Sequence, residues 1–338
     1  MKVPEPKQTA AGKWKIQLRI GGQSIVVSED SKRACKAKAE AIKWGFLKVQ
    51  SSPEEMTLEQ AFDKYIEKRQ AVLSPSTIRG YKKIKQNCFQ ELMPVSLKTL
   101  RQDSIQRAVN KMAKGKAPKY VQNAHGLVSA VLKEYYPDFR LTTALPSKTK
   151  PDIAVPDDED VRQIMAAVKG YRVEIPILMA LWMAMRVSEM RGATFDCIKD
   201  HRLHINKAIV DDENLKPVLK NTKTYSSDRW VEIPPYIEKL ISELPYQDGF
   251  IVDMSGAAIR NSFYRLLKKN GIQQFSVHSL RHANAAIMLK LGVPNKYAQE
   301  RGGWSTDSVL KTVYQYTMQD KMAEINKSVN DYFEDKQH

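Results

Sequence analysis

Residues 12–27 alternate between apolar and polar. In Lys13-Trp14-Lys15-Ile16-Gln17-Leu18-Arg19-Ile20 every second side chain is apolar, the two-residue period of a strand with one buried face. Gly21-Gly22 is a turn signal and Ser24-Ile25-Val26-Val27 a return strand, so the pattern predicts a β-hairpin. From 31 to 48 the period changes. Ala34, Ala37, Ala41 and Trp44 fall at helical spacing. A small sheet backed by one helix is expected over about residues 1–50. Trp14, Ile16, Leu18 and Ile20 would face the helix, with Lys13, Lys15, Gln17 and Arg19 outward.

Ser51-Ser52-Pro53 reads as a linker, and 53–141 is helical in pattern. Leu58, Phe62 and Tyr65 share one face. Ser76 is placed to cap a second helix, and Asp103-Ser104-Ile105 and Pro118-Lys119-Tyr120 open two more. Residues 142–156, with Pro146, Pro151 and Pro156, form a second linker. The acidic run 157–160 suits a helix N-terminus, where negative charge meets the positive end of the helix dipole. The remainder reads as mostly helical, apart from strand signals at Leu203-His204-Ile205 and Trp230-Val231-Glu232-Ile233. The stretch 318–338 is predicted helical. The fold class is therefore multidomain, mainly α with small β-sheets (α+β).

Charge sharpens this division. The chain of 338 residues carries a formal net charge of +16. Residues 1–50 hold 11 Lys+Arg against 4 Asp+Glu, residues 51–150 hold 18 against 9, and residues 151–338 hold 25 of each. All of the excess lies in the first 150 residues. Lys82, Lys83, Lys85, Lys111, Lys114, Lys116 and Lys119 crowd the helical segment. A basic surface in itself keeps a protein in solution, but this asymmetry fits a front half that grips a polyanion, nucleic acid first. There is no apolar run long enough to span a membrane, and the N-terminus lacks a signal-peptide core. Cys35, Cys88 and Cys197 are few and far apart, as for free thiols in a reducing cytoplasm.

Four stretches in the neutral half carry chemistry. Arg186 and Glu189, in Met185-Arg186-Val187-Ser188-Glu189-Met190, stand three apart and would share a helix face. Lys223 lies in Thr222-Lys223-Thr224, ahead of the strand Arg229-Trp230-Val231. His278 and Arg281, in His278-Ser279-Leu280-Arg281, again share a face. Gly302-Gly303-Trp304 is followed, ten residues after Trp304, by Tyr314. Each alone has a plainer explanation: a surface ion pair, a structural histidine, a packed tyrosine. Their order and spacing together do not.

The set resembles the tyrosine recombinase (phage integrase) family, of the lambda-like and transposon integrase type. The resemblance covers essentially the whole chain. It implies an arm-type DNA-binding domain of three strands and one helix at 1–50, a helical core-binding domain at 53–141, and a catalytic domain at 157–338, the last two closing round DNA. Position by position it implies Arg186, Lys223, His278, Arg281, Trp304 and Tyr314 as catalytic residues. Tyr314 is the nucleophile and Glu189 the acidic support of the first arginine. Trp304 stands where most members have histidine, and Tyr316 where histidine is frequent. DNA contacts are expected from Lys13, Lys15, Gln17, Arg19, Lys82, Lys83 and Lys85.

The implied activity is DNA integration through a 3′-phosphotyrosine, with excision as its reverse, for a phage or mobile element. It uses no metal and no other cofactor. The implied partners are double-stranded DNA with core-type and arm-type sites and three further copies of the chain. A host DNA-bending protein and an excisionase are optional, and the setting is the bacterial cytoplasm. The C-terminal stretch would pack on a neighbouring protomer. Two readings compete: a type IB topoisomerase, and a non-catalytic DNA-binding regulator on the same fold. The basic N-terminal module speaks against the first, and an intact motif set against the second.

Overall fold

A computed structural model describes residues 3–10, 12–20, 23–43, 56–147, 154–221, 228–306, 310 and 322–336. The chain divides into two compact units, Met1–Val72 with Gly80–Lys148, and Leu73–Arg79 with Thr149–His338.

The first unit holds two separate apolar clusters. In the N-terminal one, strands β1 (Lys7–Gln8), β2 (Trp14–Ile20) and β3 (Gln23–Glu29) form an antiparallel sheet in the order β1-β2-β3. Ile16 pairs with Val27 and Leu18 with Ile25. Ile16, Leu18 and Val27 are buried against helix α1 (Lys32–Lys43), while Lys13, Lys15, Gln17 and Arg19 are exposed. The alternation of β2 thus sorts its side chains as the pleat requires. The face of α1 is not the expected one. Cys35 and Ala39 are its fully buried residues, with Ile42 beside them, and Ala34 and Ala37 are exposed. Alanine marks a helix face weakly, being common on both sides, whereas a free cysteine packs as a small apolar group. Trp44 and the Gly21-Gly22 turn lie outside the described residues.

The second cluster is built from helices α2 (Leu58–Glu67), α4 (Gln102–Ala113) and α5 (Pro118–Tyr135), with the part of α3 (Pro75–Asn87) from Gly80 onward packed against it. Leu58, Phe62, Tyr65, Leu97, Ile105, Val128 and Leu132 are among its buried residues. Thr57 and Gln60 close a reciprocal capping box on α2, each side chain taking the other's backbone N–H. Helix α3 begins at Pro75, so Ser76 is inside the first turn and is not the cap. The carbonyl of Ser74 accepts the N–H of Ile78 at 3.1 Å instead. Proline at a first helical position loses no hydrogen bond, which moves the start one residue earlier.

In the second unit, helix α6 (Asp158–Val168) opens on the acidic run, with Asp157 and Asp160 in a capping box. Helix α7 (Glu174–Trp182) is apolar on nearly every side, and Ile177, Leu178, Met179, Ala180 and Leu181 are all buried. A helix of that kind belongs at the centre of a core. Around it stand α6, α8 (Val187–Gly192), α9 (Pro235–Ser242) and α11 (Val277–Lys290). Strands β4 (Ile198–Lys199), β5 (Arg202–Ile205) and β8 (Arg229–Glu232) make one antiparallel sheet, and β6 (Lys207–Asp211) pairs with β7 (Pro217–Asn221). Gly192 ends α8 where a Cβ would lie 2.8 Å from the Ala208 backbone, so α8 meets β6 closer than any side chain permits. Helices α10 (Gly256–Lys269), α12 (Asn295–Gly302) and α13 (Met322–Glu334) follow. All three cysteines are free and buried. Among the described residues no helix is long and apolar enough to cross a membrane.

Candidate active site

Arg186 has extended backbone (φ −79°, ψ 151°) and precedes α8 as its cap. The expectation of one shared helix face is corrected accordingly: Arg186 and Glu189 meet because the chain turns into the helix between them. Glu189 accepts the Arg186 backbone N–H at 3.0 Å and Nη1 at 2.5 Å. The arginine keeps 36% of its side chain exposed, the glutamate 3%. The other end of the Arg186 guanidinium, Nη2, donates to the Gly303 carbonyl at 3.0 Å.

Arg281, in the second turn of α11, is 1% exposed. Its Nη1 donates to the Ala184 carbonyl and its Nη2 to the Gly302 carbonyl, while Nε is buried with no partner among the described residues. The Trp304 ring lies 4.6 Å from its Cζ, within cation–π range. Two glycines make room for this. A Cβ on Gly302 would lie 2.2 Å from the Trp304 ring. Gly303 sits at φ 62°, with a Cβ there 2.7 Å from Arg229. Trp304 itself is buried.

His278 stands one turn before Arg281 on the same helix, exposed, with its ring edge-on to His282 at 4.8 Å and 90°. Desolvation by its neighbours, then the charges of Arg281 and Arg186, push its pKa below the ordinary imidazole value. It is therefore neutral at pH 7. Burial also lowers the Arg281 pKa, with Arg186 adding to the effect, to about 9. The guanidinium still carries its proton at neutral pH. Burial alone would raise the Glu189 pKa, but Arg229, Arg186, the Arg186 N–H and Arg281 outweigh it and hold the carboxylate ionised.

The residue absent from the sequence reading is Arg229. It is 8% exposed, and its Nη2 donates to Glu189 at 3.2 Å and its Nε to the Arg301 carbonyl at 3.0 Å. A signal was there. In β8, Arg229 and Val231 are buried while Trp230 and Glu232 are exposed, so a charged residue occupies the apolar phase of a strand. A buried charge in that position needs a partner. Three guanidiniums around one carboxylate leave a net of two positive charges, reached from solvent at Arg186. That suits an anion able to take paired N–H donors.

Residues 155–322 match the model of the phage integrase family. This chain belongs to that family. A tyrosine recombinase XerC-like protein of Caldanaerobacter subterraneus subsp. tengcongensis is 22% identical over 219 residues, 55% of this chain and 56% of the relative. The chain thus matches a little over half the length of that curated relative. The integrase fold is shared with solved structures. The Tn1549 transposon integrase in complex with transposon right end DNA has a TM-score of 0.63 at 16% identity, covering 80% of this chain and 100% of the other. The lambda integrase tetramer bound to a Holliday junction has a TM-score of 0.60 at 14% identity, covering 92% and 94%.

Of the family positions carried over by resemblance, the structure brings Arg186, Glu189, Arg281 and Trp304 into one connected group, with His278 on its edge. Lys223 and Tyr314 lie outside the described residues. Among the basic positions on α3, Lys83 is exposed, whereas Lys85 is held by Asp63 at 2.6 Å and Glu59 at 3.1 Å.

Proposed function

We propose that this chain is a site-specific DNA recombinase that cuts and rejoins DNA through a 3′-phosphotyrosine on Tyr314, integrating and excising a phage or mobile element. The observation that carries the reading is the cluster of Arg186, Arg281 and Trp304 around Glu189. Arg186 and Arg281 hold the scissile phosphate and stabilise the charge of its five-coordinate transition state, and the Trp304 indole N–H adds a neutral donor. Tyr314 Oη attacks phosphorus, the P–O5′ bond breaks, His278 accepts the phenolic proton and Lys223 protonates the leaving 5′-oxygen. Neutral His278 suits an acceptor. A second 5′-hydroxyl reverses the step and reseals the strand.

The cationic charge at the phosphate is supplied by side chains, so cleavage is expected to need neither metal nor nucleotide. Double-stranded DNA bearing core-type and arm-type sites is the substrate, gripped by the domains at 53–141 and 1–50. Lys13, Lys15, Gln17, Arg19, Lys82, Lys83 and Lys85 lie on the gripping side, Lys85 through its helix position more than through a free charge. The working form is a homotetramer on DNA in the bacterial cytoplasm, with a host bending protein and an excisionase as accessory partners. In support of the tetramer, α13 presents Val329, Tyr332 and Phe333 to solvent on one face, as a helix that packs on a neighbouring protomer would.

The test is covalent trapping. Full-length protein incubated with a nicked core half-site is expected to give a protein–DNA adduct on a denaturing gel, in excess EDTA, and Tyr314→Phe to give none while still binding the site. Adduct from Tyr314→Phe but not Tyr316→Phe moves the nucleophile. No adduct from either wild type or variants leaves the non-catalytic regulator, and relaxation of supercoils without recombination leaves the topoisomerase.

A further inference from the structure

The Arg186 guanidinium makes two hydrogen bonds to protein acceptors among the described residues, to the Glu189 carboxylate and the Gly303 carbonyl. Both acceptor residues lie beside Arg229. Its Nη2 bonds Glu189, and its guanidinium fills the space where Gly303 would carry a Cβ. Its Nε bonds the carbonyl of Arg301 in the last turn of α12, where unpaired carbonyls call for a donor. One side chain from β8 thus ties the start of α8 to the end of α12.

We propose that Arg229 is a positioning residue that neutralises Glu189 independently of Arg186, leaving the Arg186 guanidinium free to turn its charge on the DNA phosphate. This rests on the recombinase reading above. The physical reason is charge balance. Glu189 is almost fully buried, and a buried carboxylate must be paired or protonated. With Arg186 as its one partner, the pair would be neutral and Arg186 would have little charge left to offer. With Arg229 also present, Glu189 is satisfied before substrate arrives, and it serves as a rigid acceptor that aims Arg186. Arg229 gives its Nη2 to Glu189 and its Nε to the Arg301 carbonyl, bonds that hold α8 and α12 together. Burial lowers its pKa and Glu189 opposes that, the mutual adjustment of a structural ion pair.

The variant that removes the charge at similar length is Arg229→Met. Single-turnover adduct formation on a nicked half-site is measured at saturating protein from pH 5 to 9, with half-site affinity measured separately. The unaltered protein is expected to show no acid limb from Glu189. Arg229→Met is expected to cleave roughly 10²-fold more slowly at pH 7, by analogy with loss of one preorganised donor, with affinity changed less than about threefold because other phosphate contacts carry binding. Glu189 has then lost the charge that does most to lower its pKa, so that pKa rises. The rate should fall further as pH drops through that pKa, and Glu189→Gln in the Arg229→Met background should abolish this new limb. A merely structural role would lower the rate equally at every pH.

Arg229→Lys keeps the charge and decides the matter if the methionine variant does not fold. It should retain the wild-type pH profile and lose roughly tenfold in rate, because one ammonium cannot reproduce both fixed bonds of the guanidinium. Wild-type rates in both variants, or a slower Arg229→Met with an unchanged pH profile, overturn the proposal. Absence of adduct from the unaltered protein overturns the recombinase reading instead, so the two failures are distinguishable.

Discussion

At the scale of single residues, the site depends on who is buried and who is paired. Arg186 and Arg281 differ in exposure, 36% of the side chain against 1% of the residue, and the proposed function gives both to one phosphate. Arg186→Ala and Arg281→Ala are each expected to slow single-turnover cleavage by roughly 10²-fold or more, with modest loss of binding. Near-normal rates for either would remove it from the phosphate pocket. Gly302→Ala tests the geometry without touching a donor. The new methyl group would fall 2.2 Å from the Trp304 ring, so the ring must move off Arg281. Such overpacking costs roughly 1–3 kcal/mol, and both cleavage and melting temperature should drop. His282 gives a pH signature. It is buried, and its Nδ1 has no partner among the described residues. Burial, with His278 and Arg281, lowers its pKa from 6.5 to about 4. The unfolded chain therefore binds the extra proton first. The stability this group supports is complete above pH 6.5 and falls as pH drops toward 4, by about 3 kcal/mol in all. Unfolding free energies measured across that window should show the slope, and His282→Phe should flatten it by about one proton. The sequence revealed the residues on recognisable motifs but not Arg229 or His282, whose importance comes from neighbours far away in the chain.

At the scale of elements, legibility followed the strength of the local signal. The β2 alternation, Pro118 at the start of α5 and the acidic opening of α6 each combine two independent cues, and each element formed where those cues placed it. The face of α1 was misread because three alanines carry little burial information, while Cys35 carried more than a thiol count conveys. Arg186 was assigned to a helix because spacing alone cannot separate a cap from a first turn. The distinction matters, since an extended residue can point its side chain away from the helix surface and back toward Gly303. Capping also yields a control prediction. Asp157 accepts the Asp160 N–H at 2.8 Å at the head of α6, away from the arginine cluster in sequence and in bonding. Asp157→Ala should cost about 1 kcal/mol in a denaturant melt and leave adduct formation on a half-site unchanged. A large loss of cleavage at unchanged stability would mean that α6 does more than close the core.

At the scale of the whole molecule, the distribution of charge is the feature that local structure does not explain. Residues 1–50 carry 11 basic against 4 acidic side chains and none of the catalytic motifs. Their sheet sets Ile16 and Leu18 inward and leaves Lys13, Lys15, Gln17 and Arg19 exposed. Any half-solvated sheet has a polar outer face, so exposure alone does not make a DNA reader. Four hydrogen-bonding side chains along one face of a small antiparallel sheet do have the size and polarity to enter a major groove. A second DNA grip would raise the effective concentration of the core site without changing the contacts made there. Cleavage and integration should then separate. A protein lacking residues 1–50 keeps the apolar cluster of α2–α5 and the arginine cluster of the second unit, so it should still form the Tyr314 adduct on a core half-site. It should fail to recombine a full site with flanking arm sequences, and its footprint should lose those flanks. Reversing charge on the exposed face of β2, as Lys15→Glu with Arg19→Glu, should reproduce the defect in the full-length chain, which separates loss of DNA contact from loss of a folded module. Equal recombination of the full site by the intact, truncated and charge-reversed proteins would show that the N-terminal sheet is not an arm-type DNA-binding domain, and that the basic excess serves the core site alone.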